Sequence, residues 1–269
     1  MSEDALGDRM KMYETAEAGR KLMPLLPVIA RIDGRSFSKF TEGLERPYDQ
    51  RMSDLMVDTT LYLCRETGAC CGYTQSDEIT LGWLGEMIFK GRIQKLTSVL
   101  SSMASAYFNS QVTERLGKEY AAKLPCFDCR VWNVPDVVEG SNTFLWRELD
   151  ATKNSISMAA RHYYSHEQLH NKTGNEMQEM LWQKGINWND YPAFFKRGTY
   201  IQRKPIMRKF TVDEASSLPP KHEYFRNPDL IVARQDFIKL ELPPLVKIQN
   251  RADVIFFGHD PIMMTDVGS

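Results

Sequence analysis

The chain has 269 residues, 42% hydrophobic and 26% charged, with a net charge of -1. That length can bury a full core as one large domain or a domain with an appendage, and the near-neutral total excludes nucleic-acid binding by overall charge, so any such partner needs a local basic surface. Met1 to Arg20 is polar and acidic with no apolar signal segment, and no run of about 18 apolar residues occurs anywhere, so the sequence predicts a cytoplasmic protein, neither secreted nor membrane-inserted.

In chain order, Leu26, Val28 and Ala30 alternate along an extended stretch that delivers Asp33 to a strand end, where Gly34 permits close backbone approach. Gln50 to Thr67 places Met52, Leu55, Met56, Thr59 and Leu63 on one helical face, and Gly68 stops the helix. Cys71, Tyr73 and Gln75 lead into Asp77, and Ile79, Leu81 and Trp83 alternate on the way out, which sets Asp77 and Glu78 near a hairpin tip. Gly91 to Arg115 repeats the helical period with Ile93, Leu96, Leu100, Met103, Ala104 and Phe108, and Pro125 precedes a strand over Cys126 to Val131. Residues 1–135 therefore read strand-helix-strand-strand-helix-strand, an α+β pattern with the ferredoxin-like split order of a polymerase palm.

Residues 136–269 read as a helical and basic region that packs on the palm. Asp150 to Tyr164 keeps a face of Ile156, Ala159 and Ala160. Thr173 to Glu176 forms a capping box ahead of Met177, Met180 and Leu181, and another helix starts near Asp190 with Pro192 in its first turn. Lys196, Arg197, Arg203, Lys204, Arg208 and Lys209 then make a basic run interleaved with Tyr200 and Phe210. Such a run is commonly a solvated face; beside a nucleotidyl-transfer site it is a candidate RNA track. The tail beyond Pro219 is proline-rich and irregular, and is expected to pack on the first domain.

Asp33 and the pair Asp77-Glu78 each sit where an apolar strand meets a turn. Asp-Gly is a common turn dipeptide and Ser-Asp-Glu a common helix cap, so the company of these carboxylates decides. Arg35 and Lys39 follow the first cluster, and Lys90, Arg92 and Lys95 follow the second. Carboxylates collected from separate strand ends repel unless a cation neutralises them, and hard oxygen ligands favour Mg2+ with substrate phosphates completing its shell. The pattern is that of a nucleotidyl-transfer site, with the cations placed to hold a triphosphate. The odd cysteine count of five fits reduced thiols. Cys126-x-x-Cys129 lacks a well-placed second pair for zinc, and His162, His166 and His170 lie beside no carboxylate cluster.

Arg31-Ile32-Asp33-Gly34-Arg35-Ser36-Phe37, Gln75-Ser76-Asp77-Glu78, Phe127-Asp128-x-Arg130 and Lys196-Arg197-Gly198, in this order, resemble the tRNAHis guanylyltransferase superfamily over roughly residues 6 to 205. Where eukaryotic members carry His-Ile-Asn-Asn-Leu-Tyr-Asn, this chain has Glu148-Leu149-Asp150-Ala151-Thr152-Lys153-Asn154, which is similar to the bacterial, archaeal and phage guanylyltransferase-like proteins. The resemblance implies a 3′-to-5′ nucleotidyltransferase acting on the 5′ end of tRNA, a template-dependent repair or editing polymerase. The alternative within the family is a dedicated enzyme adding one G to tRNAHis.

The resemblance further implies two Mg2+ ions held by Asp33, Asp77 and the Gly34 carbonyl, with Glu78 as another carboxylate of the catalytic site. ATP would activate the RNA 5′-monophosphate by adenylylation, and the 3′-hydroxyl of GTP or another nucleoside triphosphate would then displace AMP. Gly34, Arg35, Ser36, Phe37, Ser38, Lys39 and Ser76 would bind the triphosphate. Arg92, Lys95 and Asn154 would meet a second nucleotide or the 5′ phosphates, and Lys196, Arg197, Arg203 and Lys204 the RNA. Family members imply a tetramer. Two rival classes share the palm pattern: a nucleotide cyclase, opposed by the basic second half, and an inactive RNA-binding module, opposed by the intact Asp33, Asp77 and Glu78.

Overall fold

The computed structural model describes residues 5–265, so the first four residues of the polar N-terminal stretch and the last four of the tail lie outside it. After helix α1 (Ala5–Ala18) the order is β1 (Val28–Gly34), α2 (Phe37–Phe40), α3 (Gln50–Thr67), β2 (Cys71–Gln75), β3 (Glu78–Trp83), α4 (Ile93–Arg115), α5 (Lys118–Ala121) and β4 (Phe127–Asn133). Then come α6 (Val137–Tyr163), α7 (His166–Leu169), α8 (Gly174–Gln183), α9 (Ala193–Arg197), β5 (Thr199–Lys209), α10 (Val212–Ser216) and β6 (Ile231–Leu240). The strands form one sheet in the order β4-β1-β3-β2-β5-β6, with every neighbouring pair antiparallel. The protein is thus a mixture of helices and antiparallel sheet.

Helix α3 begins where the Asp49 carboxylate accepts the Arg51 amide and ends at Gly68, whose φ of 66° lies in the left-handed region that lacks a penalty only for glycine. Its apolar face and that of α4, where Leu96, Leu100, Ala104, Phe108 and Val112 are buried one turn apart, cover one face of the sheet. Val28, Ala30 and Ile32 of β1 and Ile79 and Leu81 of β3 point into this core. The opposite residues, Ile29, Cys71, Tyr73 and Tyr200, pack beneath Phe144 and Ala151 of α6 and the C-terminal residues Leu245, Ile248 and Val254 to Phe256. Burial on both faces explains why β1 has an unbroken apolar start, whereas its sequence suggested simple alternation.

Three elements differ from the sequence expectation. Helix α6 starts at Val137, well before Asp150, with the Asp136 carboxylate capping the Glu139 amide. The basic run, for which the sequence showed only a solvated face or RNA track, is divided between two elements: Lys196 and Arg197 close α9, while Arg203 and Lys204 belong to β5, which pairs with β6 from Tyr200↔Leu240 to Lys209↔Ile231. Proline-flanked sequence concealed β6. The helix expected near Asp190 is a single 3-10 turn, Trp188–Asp190, followed by α9 with Pro192 at its cap.

The first core is pinned by aromatic rings: Phe108, fully buried, meets Phe37, Phe40 and Phe127 at centroid distances of 5.6, 5.7 and 5.4 Å. Phe108→Ala is expected to cost about 3–5 kcal/mol, read by urea denaturation; a loss below about 1 kcal/mol would mean this cluster does not organise the core.

Candidate active site at the sheet end

Strand register, not helix placement, assembles the charged groups. Asp33 of β1 stands opposite Glu78 of β3 and Asp128 of β4, so three carboxylates share one row across the sheet. Two residues back on the same face, Arg31 stands opposite Thr80 and Arg130, because side chains alternate with period two. Asp77 joins from the Ser76-Asp77 turn between β2 and β3, where the Gly34 amide donates to its carbonyl at 3.0 Å. Ser36 and Ser76, with φ of 57° and 56°, both occupy the left-handed region, an uncommon geometry for residues with a Cβ. Gly34 matters for space: a Cβ there would lie 2.4 Å from the Phe37 ring.

Helix α6 lies across this row and divides its charges. Arg147 Nε donates to Glu78 at 2.5 Å and Arg147 Nη2 to Asp150 at 3.0 Å, and Trp146 stacks on Arg147 and Arg31 at 4.5 and 5.6 Å. Glu78 is therefore paired, and burial of its side chain still lifts its carboxyl above the ordinary range against the pull of Arg147. Burial works against the Arg147 charge too, but Glu78 more than offsets it. Asp33 and Asp77 have no ion-pair partner among the described residues. The Asp33 carboxyl is raised by burial and then by Asp128, against Arg31, Arg130 and Arg147; that of Asp77 is raised by burial and then by Asp33.

Two cavities meet at Asp77. The smaller, about 340 Å³, is lined by Asp33, Glu78, Arg147 and Asn154 among others. The larger, about 540 Å³, runs along Gly34, Ser36, Phe37 and Ser38 to Tyr48, Asp49 and Phe194. The amides of Gly34 and Arg35 are spent on Asp77 and Cys126 carbonyls, whereas those of Ser36, Phe37 and Ser38 make no backbone hydrogen bond among the described residues. Phe37 is itself a core residue, 3% exposed.

The remaining sequence candidates are scattered. Arg35 and Lys39 are exposed and line neither cavity. Arg92 and Lys95 line a separate cavity near Ala18, with no residue in common with the first two. Lys196 points its ammonium at the Asn189 carbonyl and over Trp188, and burial lowers its pKa. Arg197 borders a further cavity with Lys239 and Glu148, Arg203 covers Phe237 at 5.3 Å, and Lys204 lies 3.7 Å from Asp260. Sequence reasoning missed Arg147, Trp146 and Arg161, all on the part of α6 that faces the carboxylates. The (i, i+3) pair Arg147 and Asp150 was a usable signal, hidden because the helix was started at Asp150.

A sequence model of the tRNAHis guanylyltransferase family matches residues 7–135. A bacterial tRNAHis guanylyltransferase-like protein solved in complex with ATP is 40% identical, with a TM-score of 0.69, and the match covers 74% of this chain and 88% of that one. Another, in complex with GTP, is 33% identical at a TM-score of 0.69, covering 91% of this chain and 95% of that one. The chain belongs to the tRNAHis guanylyltransferase family. A probable tRNAHis guanylyltransferase of Drosophila melanogaster is 27% identical over 214 residues, covering 74% of each chain. The family is one of nucleotidyltransferases, and the carboxylates and cavities described above lie within or beside its matched segment. No helix among the described residues is long and apolar enough to cross a membrane.

Two predictions follow from the charge arrangement. Arg147→Met removes the hydrogen-bonded partner of buried Glu78 and leaves it only Arg31 at 3.9 Å, which should cost about 3 kcal/mol, with Glu78→Gln in the same background recovering much of it; additive losses in urea titrations would show that the pair is not coupled. Asp77 ionises in the folded state only against burial and Asp33, so its contribution to stability is full below the ordinary carboxylate pKa and is lost as pH rises through the raised folded value. Asp77→Asn should therefore raise the melting temperature at neutral pH without divalent cations, and a lower value would contradict the repulsion.

Proposed function

We propose that this protein is a 3′-to-5′ nucleotidyltransferase that adds nucleotides to the 5′ end of tRNA, chiefly as template-dependent repair. The observation that carries the reading is the Asp33 and Asp77 pair, left without an ion-pair partner among the described residues where two cavities of substrate size meet. Residues 1–135 then form a palm: the order β4-β1-β3-β2 matches a ferredoxin-like split arrangement, with residues 136–269 covering its second face. Relatives in complex with ATP and GTP support a nucleoside triphosphate in the larger cavity.

The donor set fits Mg2+. Among the described residues no three His, Cys, Asp or Glu side chains form a ready cage, and Mg2+ is commonly held by one or two carboxylates with waters and substrate phosphates. Asp33, Asp77 and the Gly34 carbonyl would hold two ions, which when bound supply charge neutralisation and polarisation of phosphoryl oxygens. The chain's own groups do the rest. The free amides of Ser36, Phe37 and Ser38 border the larger cavity and can donate to phosphate oxygens, Ser76 and Asn154 border the smaller one, and Arg147 fixes Glu78 so that it does not compete for the ions. The smaller cavity takes the 5′ end of the RNA, whose nucleophile or activated phosphate meets the nucleotide at Asp77.

Repair is the reading in keeping with the block that differs from eukaryotic members, in which Glu148 is 3% exposed and accepts from the Tyr200 hydroxyl at 3.0 Å and the Leu245 amide at 2.8 Å, while Asn154 borders the smaller cavity. Such an activity belongs in the cytoplasm, and a tetramer accords with the family.

Incubation with Mg2+, nucleoside triphosphates and a 5′-monophosphorylated tRNA lacking its first nucleotide should give addition matched to the opposing base. Addition of G whatever the opposing base would favour the dedicated enzyme, and no addition to any tRNA would overturn both. Asp33→Ala or Asp77→Ala should lower the rate by several orders of magnitude while leaving tRNA affinity within about tenfold; near-normal turnover in either would remove the metal assignment.

A further inference from the structure

The two cavities are separate compartments with a common neck. Gln75, Ser76 and Asp77 from the β2–β3 turn line both of them on one side, and Met158 and Arg161 from α6 line both on the other. Arg147 and Arg161 stand fourteen positions apart on α6, so the helix carries one arginine at each end of a polar face about 21 Å long, with Asn154 and Ser157 between them on the wall of the smaller cavity.

The arginines that line these cavities are not equivalent. Arg147 is committed to Glu78 and Asp150, and Arg46, in the wall of the larger cavity, donates to the Thr41 carbonyl at 3.1 Å. The Arg161 side chain makes no hydrogen bond, ion pair or ring contact among the described residues, and the residue is exposed. It faces a neck whose opposite side carries Asp77, yet no ion pair closes the gap between them. A guanidinium held opposite a carboxylate without touching it leaves room for a group that is attracted to the one directly and to the other only through a cation. Phosphate is such a group, and the planar fork of arginine donates to two of its oxygens at once.

Resting on the nucleotidyltransferase reading above, we propose that Arg161 binds the triphosphate chain of the nucleotide seated in the larger cavity, at the neck where that chain meets the RNA 5′ end. Arg161 then supplies from α6 a guanidinium open to phosphate, because the other arginines lining the two cavities, Arg46 and Arg147, are hydrogen-bonded within the protein. Its place in both walls sets the phosphates against Asp77 in line with the smaller cavity, which makes it a substrate-binding residue of the transfer itself. A neighbouring patch of basic residues would raise affinity for any polyanion; a single arginine at the neck acts on the phosphates of the bound nucleotide alone.

The test compares ATP, GTP and the corresponding nucleosides binding to the RNA-free protein in Mg2+, by calorimetry or displacement of a fluorescent nucleotide. Arg161→Gln should weaken both triphosphates by about 10- to 100-fold, the range of a lost charge-assisted hydrogen bond, and leave adenosine and guanosine within about twofold. Arg161→Lys should fall between, since an ammonium keeps the charge without the fork. Equal weakening of nucleosides and triphosphates would make Arg161 a wall of the cavity and overturn the proposal, as would unchanged triphosphate binding in Arg161→Gln. Failure of the unsubstituted protein to bind any triphosphate would instead remove the nucleotidyltransferase reading on which the proposal stands.

Discussion

The Glu78–Arg147 pair is the contact on which the arrangement of the site depends. Its side chains are 15% and 12% exposed, so both ions have lost most of their water, and a buried pair of this kind contributes little net stability while its disruption is expensive. What it provides is position. It ties the start of β3 to the middle of α6, two elements separated in the chain by α4, α5 and β4, and it does so at the row where Asp33 and Asp128 stand beside Glu78. With Glu78 held by Arg147 and Asp128 3.6 Å from Arg130, the carboxylates of the sheet end left without an ion-pair partner among the described residues are Asp33 and Asp77. A site that answers every carboxylate with an arginine has no use for a cation, and one that answers none would not stay folded around them. Here one is answered by α6 and two are left over.

The second constraint is that the sheet is buried on both faces. Helices α3 and α4 cover one face with a core of aliphatic and aromatic side chains, and because those residues occupy alternate positions along β1 and β3, the intervening positions must face α6. Asp33, Arg31, Glu78 and Thr80 inherit their placement from that parity. A one-residue slip of β1 against β3 would drive Arg31 and Asp33 into the packed rings around Phe108 and expose Ile32, which binds the chemistry of the site to the packing of the opposite core. The C-terminal residues complete the cover over α6, and Glu148 fastens them by receiving both the Leu245 amide and the Tyr200 hydroxyl. Burial raises the Glu148 carboxyl, and those two donors oppose the rise.

The part of this legible in the sequence is the part written in local pattern. Alternation placed Asp33 at a strand end and Asp77 at a hairpin tip, and the helical period with its capping residues placed α3 and α4. The succession of strands and helices along residues 1–135 follows from those elements, but the order across the sheet does not, because β5 and β6 join it from outside that stretch. What was not legible depends on partners distant in sequence. The run from Lys196 to Lys209 has the composition of a solvated track, but all of it from Thr199 onward is strand β5, fixed by pairing to β2 on one side and to β6 on the other. Strand β6 lies among prolines that argue locally against it, and it forms because an edge offered by β5 pairs its whole length. Arg92 and Lys95 were grouped with the carboxylates because they follow β3 closely in sequence, yet the chain turns away through the 3-10 turn at Ile88–Gly91 and opens them to another surface.

Helix α6 shows why charge lists are a poor guide to a site and geometry a better one. Its arginines at 147 and 161 are alike in type and lie on one polar face, but the first finds Glu78 and Asp150 within reach while the second finds no partner among the described residues. The difference is set by the length of the helix against the width of the sheet: the row of carboxylates ends at the β2–β3 turn, and a helix of 27 residues continues past it. Beyond the turn there is no strand to supply an acidic partner, only the opening into the larger cavity. An extended helix laid over a short sheet therefore produces both kinds of arginine without any special sequence, a paired one that holds the protein's own carboxylate and an unpaired one directed at whatever anion enters. That the unpaired residue overhangs the neck beside Asp77 follows from the same crossing of α6 over the sheet that seats Arg147 on Glu78.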